Sequence, residues 1–452
     1  MTTNEPVDIE TVLSNAPLGA FHFIVVGLSA LMIMLDGYDA QSIAFAAPLL
    51  AKALGRNVSS FGPIFAVGLV GLMLGSLAVS PLADRYGRKW LLITSTVIFG
   101  FFSLAPALDP SFERLFVYRL LTGFGLGGAM PCAVALTSEY APRRNKAALV
   151  NIMFAGFPLG AVVGGFVVSL IIVDWGWQAI FYVGGVLPLL MVPVLMLLMP
   201  ESIVFLVADG RRPRAIAHIL SRFKSTNVLN PENVRLSQDP TEKRGSVTNL
   251  FDQQRGFGTI LLWVGFFCNL LLIYFLVNWI PAVLDLIGLP AQHALMGTVV
   301  LNVGGVVGGV CMGLVIDRYG AARPIYTAFL LAAACVALIG QSIQLPAVAT
   351  AIIFLSGLFV IGAQLSMNAL AANFYPINIR STGVGWALGI GRVGSIIGPV
   401  VGGLALSWKW SLATIFTIAA VPALAGALSM FLLGRRYPRH GNATSRDGFA
   451  PA

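Results

Sequence analysis

Charge is scarce in this sequence. Of its 452 residues only 10% are Asp, Glu, Lys or Arg, against about 25% in a soluble chain. That excludes a protein whose surface mostly meets water. Cysteine and histidine are scarce too, with four of each. Cys132, Cys268, Cys311 and Cys335 lie in apolar runs with no C-x-x-C pair, and His22, His218, His293 and His440 are scattered. Neither set has metal-ligand spacing, so no metal is expected. The opening "MTTNEPVDIETVLSNAPLGA" is acidic and polar; it lacks the basic start, short apolar core and cleavage site of a secretory leader. No nucleophile–base–acid set appears either, so neither enzyme activity nor a cofactor is expected.

What the chain has is apolar length. Hydrophobic residues make up 57% of it, in repeated runs of ~20, each enough to cross ~30 Å of hydrocarbon. Twelve spans are read at about 21–48, 61–82, 90–108, 112–137, 147–173, 178–199, 258–282, 294–316, 324–343, 347–372, 383–406 and 411–433. The fold class is an all-α membrane protein. The expected organisation is an N-terminal segment (1–20), a six-helix bundle (21–200), a central loop (201–256), a second six-helix bundle (257–433) and a tail (434–452). "DGRRPRAIAHILSRF" in the central loop reads as one short surface helix, followed by a polar linker.

An even number of spans puts both termini on one side. That side carries 22 of the 28 Lys and Arg residues, and the other only Lys52, Arg56, Arg114 and Lys409. Cytoplasmic loops hold the excess of basic residues, so the termini and central loop are expected in the cytoplasm. The net charge of +9 is thereby topology, not a nucleic-acid surface; the expected partner is the lipid bilayer.

The chain repeats itself. "PLADRYGRK" begins at Pro81 and "LVIDRYGAAR" at Leu314, so that Asp84 and Asp317 are 233 residues apart. Gly123 and Gly357, Pro142 and Pro376, Lys146 and Arg380, Gly160 and Gly394, and Gly164 and Gly398 are each 234 apart. Several features at one register indicate two pseudo-symmetric six-helix halves, an arrangement that places a substrate site near the bilayer midplane where the halves meet. The glycines of "GFPLGAVVGG" and "GRVGSIIGPVVGG" offer small residues at spacing four, which lets helices pack closely.

The layout and "PLADRYGRK" resemble the major facilitator superfamily, whose loop between the second and third helices reads Gly-x-Leu-Ala-Asp-Arg-x-Gly-Arg-Lys; here Ser80 replaces the glycine. "LDGYD" in the first span, "SEYAPRRNK" after the fourth and "IRSTGVGWALGIGRVGSIIGP" at the eleventh are similar to the aromatic acid:proton symporters within it. The resemblance implies a bacterial cytoplasmic membrane protein that takes up an aromatic acid with protons, and that the aspartates of the first span are needed for it.

An ionisable group inside a span is a functional hypothesis by default. Four lie deep: Asp36, Asp39, Arg119 and Arg392. Asp36 and Asp39 share a helical face at i and i+3, and two close carboxylates favour holding a proton. With Arg119 as their regulator, they are the expected proton site; the competing reading is a plain ion pair between one of them and Arg119. Gly37 between them is expected to let the helix flex. Arg392, near the midplane, is the expected anion anchor, since a guanidinium grips a carboxylate through two parallel hydrogen bonds. Tyr274, Asn278, Gln364, Asn368 and Trp386 are candidates to stack on a ring or bond a hydroxyl.

Asp84, Arg85, Arg88, Glu139, Arg143, Lys146, Asp317, Arg318 and Arg380 form an expected cytoplasmic latch. Asp84 is expected to reach the start of the eleventh helix and Asp317 that of the fifth, where helix N-termini carry partial positive charge. Two other functions stay open: a proton-coupled efflux antiporter, and, from another class, a nutrient sensor. The sequence leaves open the particular acid, the proton number and the oligomeric state, and a monomer is compatible with it.

Overall fold

The computed structural model describes residues 7–8, 13, 17–142, 144–209, 213–221, 234–235, 247–252, 255–342, 345–375 and 379–437; a few side chains within these, those of Asp84, Asp317 and Arg380 among them, fall outside the description. Most of the expected central loop, N-terminal segment and tail also lies outside it.

Six long helices open the chain: α1 (Ala20–Ala53), α2 (Gly62–Tyr86), α3 (Arg88–Leu108), α4 (Phe112–Tyr140), α5 (Lys146–Trp175) and α6 (Gln178–Leu198). Two short ones follow, α7 (Ile203–Asp209) and α8 (Pro213–Leu220). Six more long helices complete it: α9 (Gly256–Leu286), α10 (Ala291–Tyr319), α11 (Ala322–Ser342), α12 (Pro346–Phe374), α13 (Arg380–Ser407) and α14 (Leu412–Arg436). Twelve of these are long and apolar enough to cross a membrane. Helix is the form such segments take because hydrocarbon offers no partner for backbone N–H and C=O groups, and a helix satisfies them internally. Among the described residues, strand is confined to a two-residue parallel pairing of β1 (Val7–Asp8) with β2 (Val234–Arg235).

One boundary differs from the sequence reading. The first span was expected to stop at Pro48, yet α1 runs through it to Ala53. Proline removes one ladder bond, a loss that neighbouring groups make good in membrane helices. The short helix read within "DGRRPRAIAHILSRF" is α8, with Pro213 opening it, a first-turn position where its missing N–H costs nothing; α7 ends as that stretch begins and was not foreseen.

The repeat has a physical counterpart in its glycines. A Cβ at Gly123 would strike the carbonyl of Gly68, and one at Gly357 the carbonyl of Leu301. Gly160 lies against the carbonyl of Met34 and Gly394 against that of Phe267. Positions 234 residues apart therefore mark matching helix crossings, where only glycine lets two backbones touch. Gly87 and Gly320, which end the two Asp-Arg-Tyr-Gly motifs, have φ of 98° and 77°, a left-handed conformation that glycine adopts without steric cost. Gly37 also serves contact: α1 is continuous there, and a Cβ would strike the carbonyl of Phe157 on α5. Its expected role as a flexing point gives way to close packing.

The chain forms two compact units. The first holds Met1–Ser42, Val67–Gly164 and Asp174–Glu242; its core includes Met32, Leu92, Phe99, Leu136 and Met153. The second holds Ile43–Ala66, Gly165–Val173 and Lys243–Ala452, so it contains the ends of α1 and α5 and the start of α2 as well as α9–α14. Within it, Phe65 meets Trp279 edge-on at 5.4 Å, and Trp279 Nε1 donates to the Pro399 carbonyl at 3.0 Å. Gly62 and Gly403 lie back to back beside that ring. Lys52 pairs with Asp285 at 2.7 Å.

Candidate functional site

The first unit holds a buried charge cluster. Asp39 on α1 is 0% exposed and Asp36, one turn earlier, 4%. Arg119 of α4 donates through Nη1 to Asp39 Oδ2 at 3.1 Å and through Nη2 to the Asp39 backbone carbonyl at 3.2 Å. Ser103 of α3 donates to Asp39 Oδ1 at 2.5 Å, and Ser42 lies 3.4 Å from the same oxygen. Ser42 also accepts from Arg119 Nη1 at 3.3 Å. Tyr38, next to Asp39, donates to the Ile180 carbonyl of α6 at 2.6 Å. Asp39 is thus enclosed by one guanidinium and two hydroxyls from three helices, which is what a buried charge requires.

Sequence reasoning missed Ser42, Ser103 and Gly184. Ser42 stands at i+3 from Asp39, a spacing that could have flagged it. Ser103 is a single hydroxyl in an apolar run and carries no such mark. At Gly184 a Cβ would come within 2.8 Å of Ser103 Oγ and 3.5 Å of Asp39 Oδ1, so the absent side chain leaves room for the cluster.

The second unit presents a different arginine. Arg392 of α13 is half-buried, and its Nη1 donates to Tyr274 Oη of α9 at 3.3 Å. Among the described residues no carboxylate pairs with it. Gly385 and Gly389 share its helical face at i−7 and i−3, and a Cβ at either would meet nothing within 4 Å. The guanidinium therefore ends an open stripe on α13. Asn278 is buried and donates to the Tyr274 backbone carbonyl at 2.7 Å. Trp386 is exposed and stacks on Trp263 at 5.8 Å and 24°. Gln364 Nε2 lies 3.4 Å from Asn368 Oδ1 on α12, and behind them stands the fully buried Asn269 of α9, which sequence reasoning also missed.

At the motif corner between α2 and α3, Arg88 pairs with Glu139 of α4, and Ser202 donates to Glu139 Oε2 at 2.6 Å. Glu201, unforeseen from sequence, accepts from the backbone N–H of Lys89 at 3.0 Å and of Ser202 at 2.8 Å. A carboxylate there complements the positive end of α3. The Lys89 ammonium donates to the Met196 carbonyl at 2.8 Å. Arg85 and Arg318, at matching repeat positions, each lie 5.5 Å from the ring of the following tyrosine. Lys146 is exposed at the start of α5. Arg143 and the side chains of Asp84, Asp317 and Arg380 lie outside the described residues, and with them the expected reach of Asp84 and Asp317.

The family model described as Major Facilitator Superfamily matches residues 29–387 and 302–451. The 4-hydroxybenzoate transporter PcaK of Acinetobacter baylyi is 35% identical, with 95% of each chain covered. The gallate transporter of Pseudomonas putida is 36% identical, again with 95% of each covered. The benzoate transport protein of Acinetobacter baylyi is 32% identical over 95% of this chain and 93% of its own. Among solved structures, the xylose transporter XylE from E. coli superimposes with a TM-score of 0.71 at 16% identity, covering 96% of this chain and all (100%) of that one. That likeness concerns the fold.

Proposed function

The chain belongs to the Major Facilitator Superfamily, and on that footing we propose that it is a symporter importing an aromatic carboxylate, of the benzoate and hydroxybenzoate class, together with protons. The observation that carries the reading is Arg392: a half-buried guanidinium in a membrane helix, held by a phenol and by no carboxylate among the described residues. A guanidinium has five donors and no acceptor. A substrate carboxylate supplies the missing anion through two parallel hydrogen bonds. Tyr274, having accepted from Arg392, keeps its own O–H to donate to the same ligand. The names of the relatives support an aromatic ring on that carboxylate.

The proton belongs to the α1 carboxylates. Asp39 with Arg119 fixes α1 against α4, and the Asp36–Asp39 pair exchanges the proton during the cycle. Alternating access exposes the site first to one side of the membrane and then to the other. The basic-residue asymmetry supports a cytoplasmic-membrane setting with both termini inside. One proton with one monovalent anion moves no net charge, so the pH gradient alone adds to the substrate's own gradient; a second proton would add the membrane voltage, about 2.3 kcal/mol per 100 mV.

Uptake of labelled 4-hydroxybenzoate into proteoliposomes under an inward proton gradient tests this. Accumulation above the outside concentration is expected. Proton-driven loss from preloaded vesicles would indicate an exchanger, and no flux either way would indicate a sensor; both outcomes defeat the proposal.

A further inference from the structure

The amide chain behind Gln364 has a fixed direction. Asn269 Nδ2 lies 3.1 Å from the Val360 carbonyl and 2.9 Å from Gln364 Oε1. A backbone carbonyl can only accept, so the Asn269 group facing it is the NH2. That NH2 then spends its other hydrogen on Gln364 Oε1. Gln364 must in turn show its own NH2 away from Asn269, with one hydrogen directed at Asn368 Oδ1, 3.4 Å away. Asn368 is left with its NH2 outward. The series runs from the fully buried Asn269, through Gln364 at 9% exposure, to the half-buried Asn368. Its accessible end presents N–H donors.

Asn269 is a costly residue to keep. Its Oδ1 is buried without a hydrogen-bond partner, a state that destabilises the fold and calls for a reason. Orientation of Gln364 supplies that reason, since leucine at this position would fill similar space without an orphaned carbonyl.

We propose that Asn269 is a positioning residue. It locks the Gln364 and Asn368 amides with donors outward, so that they recognise an acceptor oxygen on the substrate ring, and it thereby selects hydroxylated aromatic acids over unsubstituted ones. This deepens the symporter reading and rests on it. Tyr274 and Asn269 are five residues apart on α9, about 7.5 Å along the axis and about 140° around it. One faces Arg392 on α13 and the other Gln364 on α12. The carboxylate and the ring hydroxyl are thus read by different neighbours of one helix.

The test measures KM and the maximal rate for 4-hydroxybenzoate, 4-methylbenzoate and benzoate in proteoliposomes of the full chain. The methyl compound matches the hydroxyl in size and offers no acceptor. Wild type is expected to prefer the hydroxylated acid. Asn269→Leu should raise its KM about ten-fold, the loss of one good hydrogen bond, and leave the maximal rate and the other two KM values unchanged. Gln364→Leu should likewise raise the KM for 4-hydroxybenzoate relative to the KM values for 4-methylbenzoate and benzoate. Equal losses for all three acids would make Asn269 merely structural and overturn the proposal. So would unchanged KM values, or a wild type blind to the hydroxyl. If Asn269→Leu does not fold, Gln364→Leu decides the matter by the ratio of the KM values for 4-hydroxybenzoate and benzoate. Wild-type uptake of none of the three acids would instead overturn the symporter reading beneath.

Discussion

Two arginines lie inside membrane helices, one in each sequence half, and their surroundings are opposite. Arg119 has 6% of its side chain exposed and lies 3.1 Å from a carboxylate that is wholly buried. Arg392 is half-buried, touches a phenol, and ends an open face of α13. The first guanidinium has a resident anion; the second has donors to spare. An ionised side chain in a membrane is costly unless compensated. Arg119 is compensated by the fold, and Arg392 is suited to compensation by a ligand. On the proposed reading one cation belongs to architecture and the other to recognition, although both read from sequence as a lone arginine in an apolar run.

The largest effect that can break this comparison is on stability. Arg119→Leu leaves Asp39 buried with its charge uncompensated, a change that costs about 3–5 kcal/mol. The melting midpoint of the detergent-purified protein should fall sharply, and expression with it. A midpoint within a degree or two of wild type would show that Asp39 does not depend on this pair.

Arg392→Leu should do the reverse. With no resident carboxylate among the described residues, stability should shift by less than about 1 kcal/mol. Transport should suffer instead, since a buried charge pair with the substrate is worth at least about 2 kcal/mol, or roughly 30-fold in affinity. Arg392→Lys should recover part of this, because an ammonium keeps the charge and loses the two-pronged geometry. Variants that melt early but bind normally would reverse the roles assigned to the two arginines.

Ser103→Ala sharpens the description of the first cluster. Removing one hydroxyl from a carboxylate costs about 1.5–3 kcal/mol where the acceptor is charged. The midpoint should drop by less than in Arg119→Leu. A midpoint equal to that of wild type would show that Asp39 does not depend on this hydroxyl.

Much of this was legible beforehand, for a definite reason. Spans follow from apolar run length, and the repeat follows from glycines that two equivalent crossings require, such as Gly160 on Met34 and Gly394 on Phe267. The pairing of one α1 aspartate, Asp39, with Arg119 was legible as charge against charge. Ser103, Gly184, Asn269 and Glu201 were not. Each acts through a neighbour distant in sequence, and a serine, a glycine or an asparagine in a span carries no sign of its partner. Pro48 misled because proline ends helices in water more reliably than in a membrane.

The smallest effect concerns a third pair, Lys52 with Asp285, which has the same kinds of charge as Asp39 with Arg119 and a shorter separation, 2.7 Å. Its lysine is 64% exposed, whereas the buried arginine is only 6% exposed. If distance decided strength, Lys52→Ala would be the more damaging change. Water decides otherwise: exposed pairs are worth about 0–1 kcal/mol, and their attraction is screened over about 8 Å at physiological salt and 3 Å at 1 M. Lys52→Ala should therefore lower the midpoint slightly at low salt and not at all at 1 M, while the Arg119→Leu deficit should persist at both. A Lys52→Ala deficit that survives 1 M salt would mean that Asp285, only 9% exposed, sets the strength of this pair, and that burial of a single partner is enough to make an ion pair architectural.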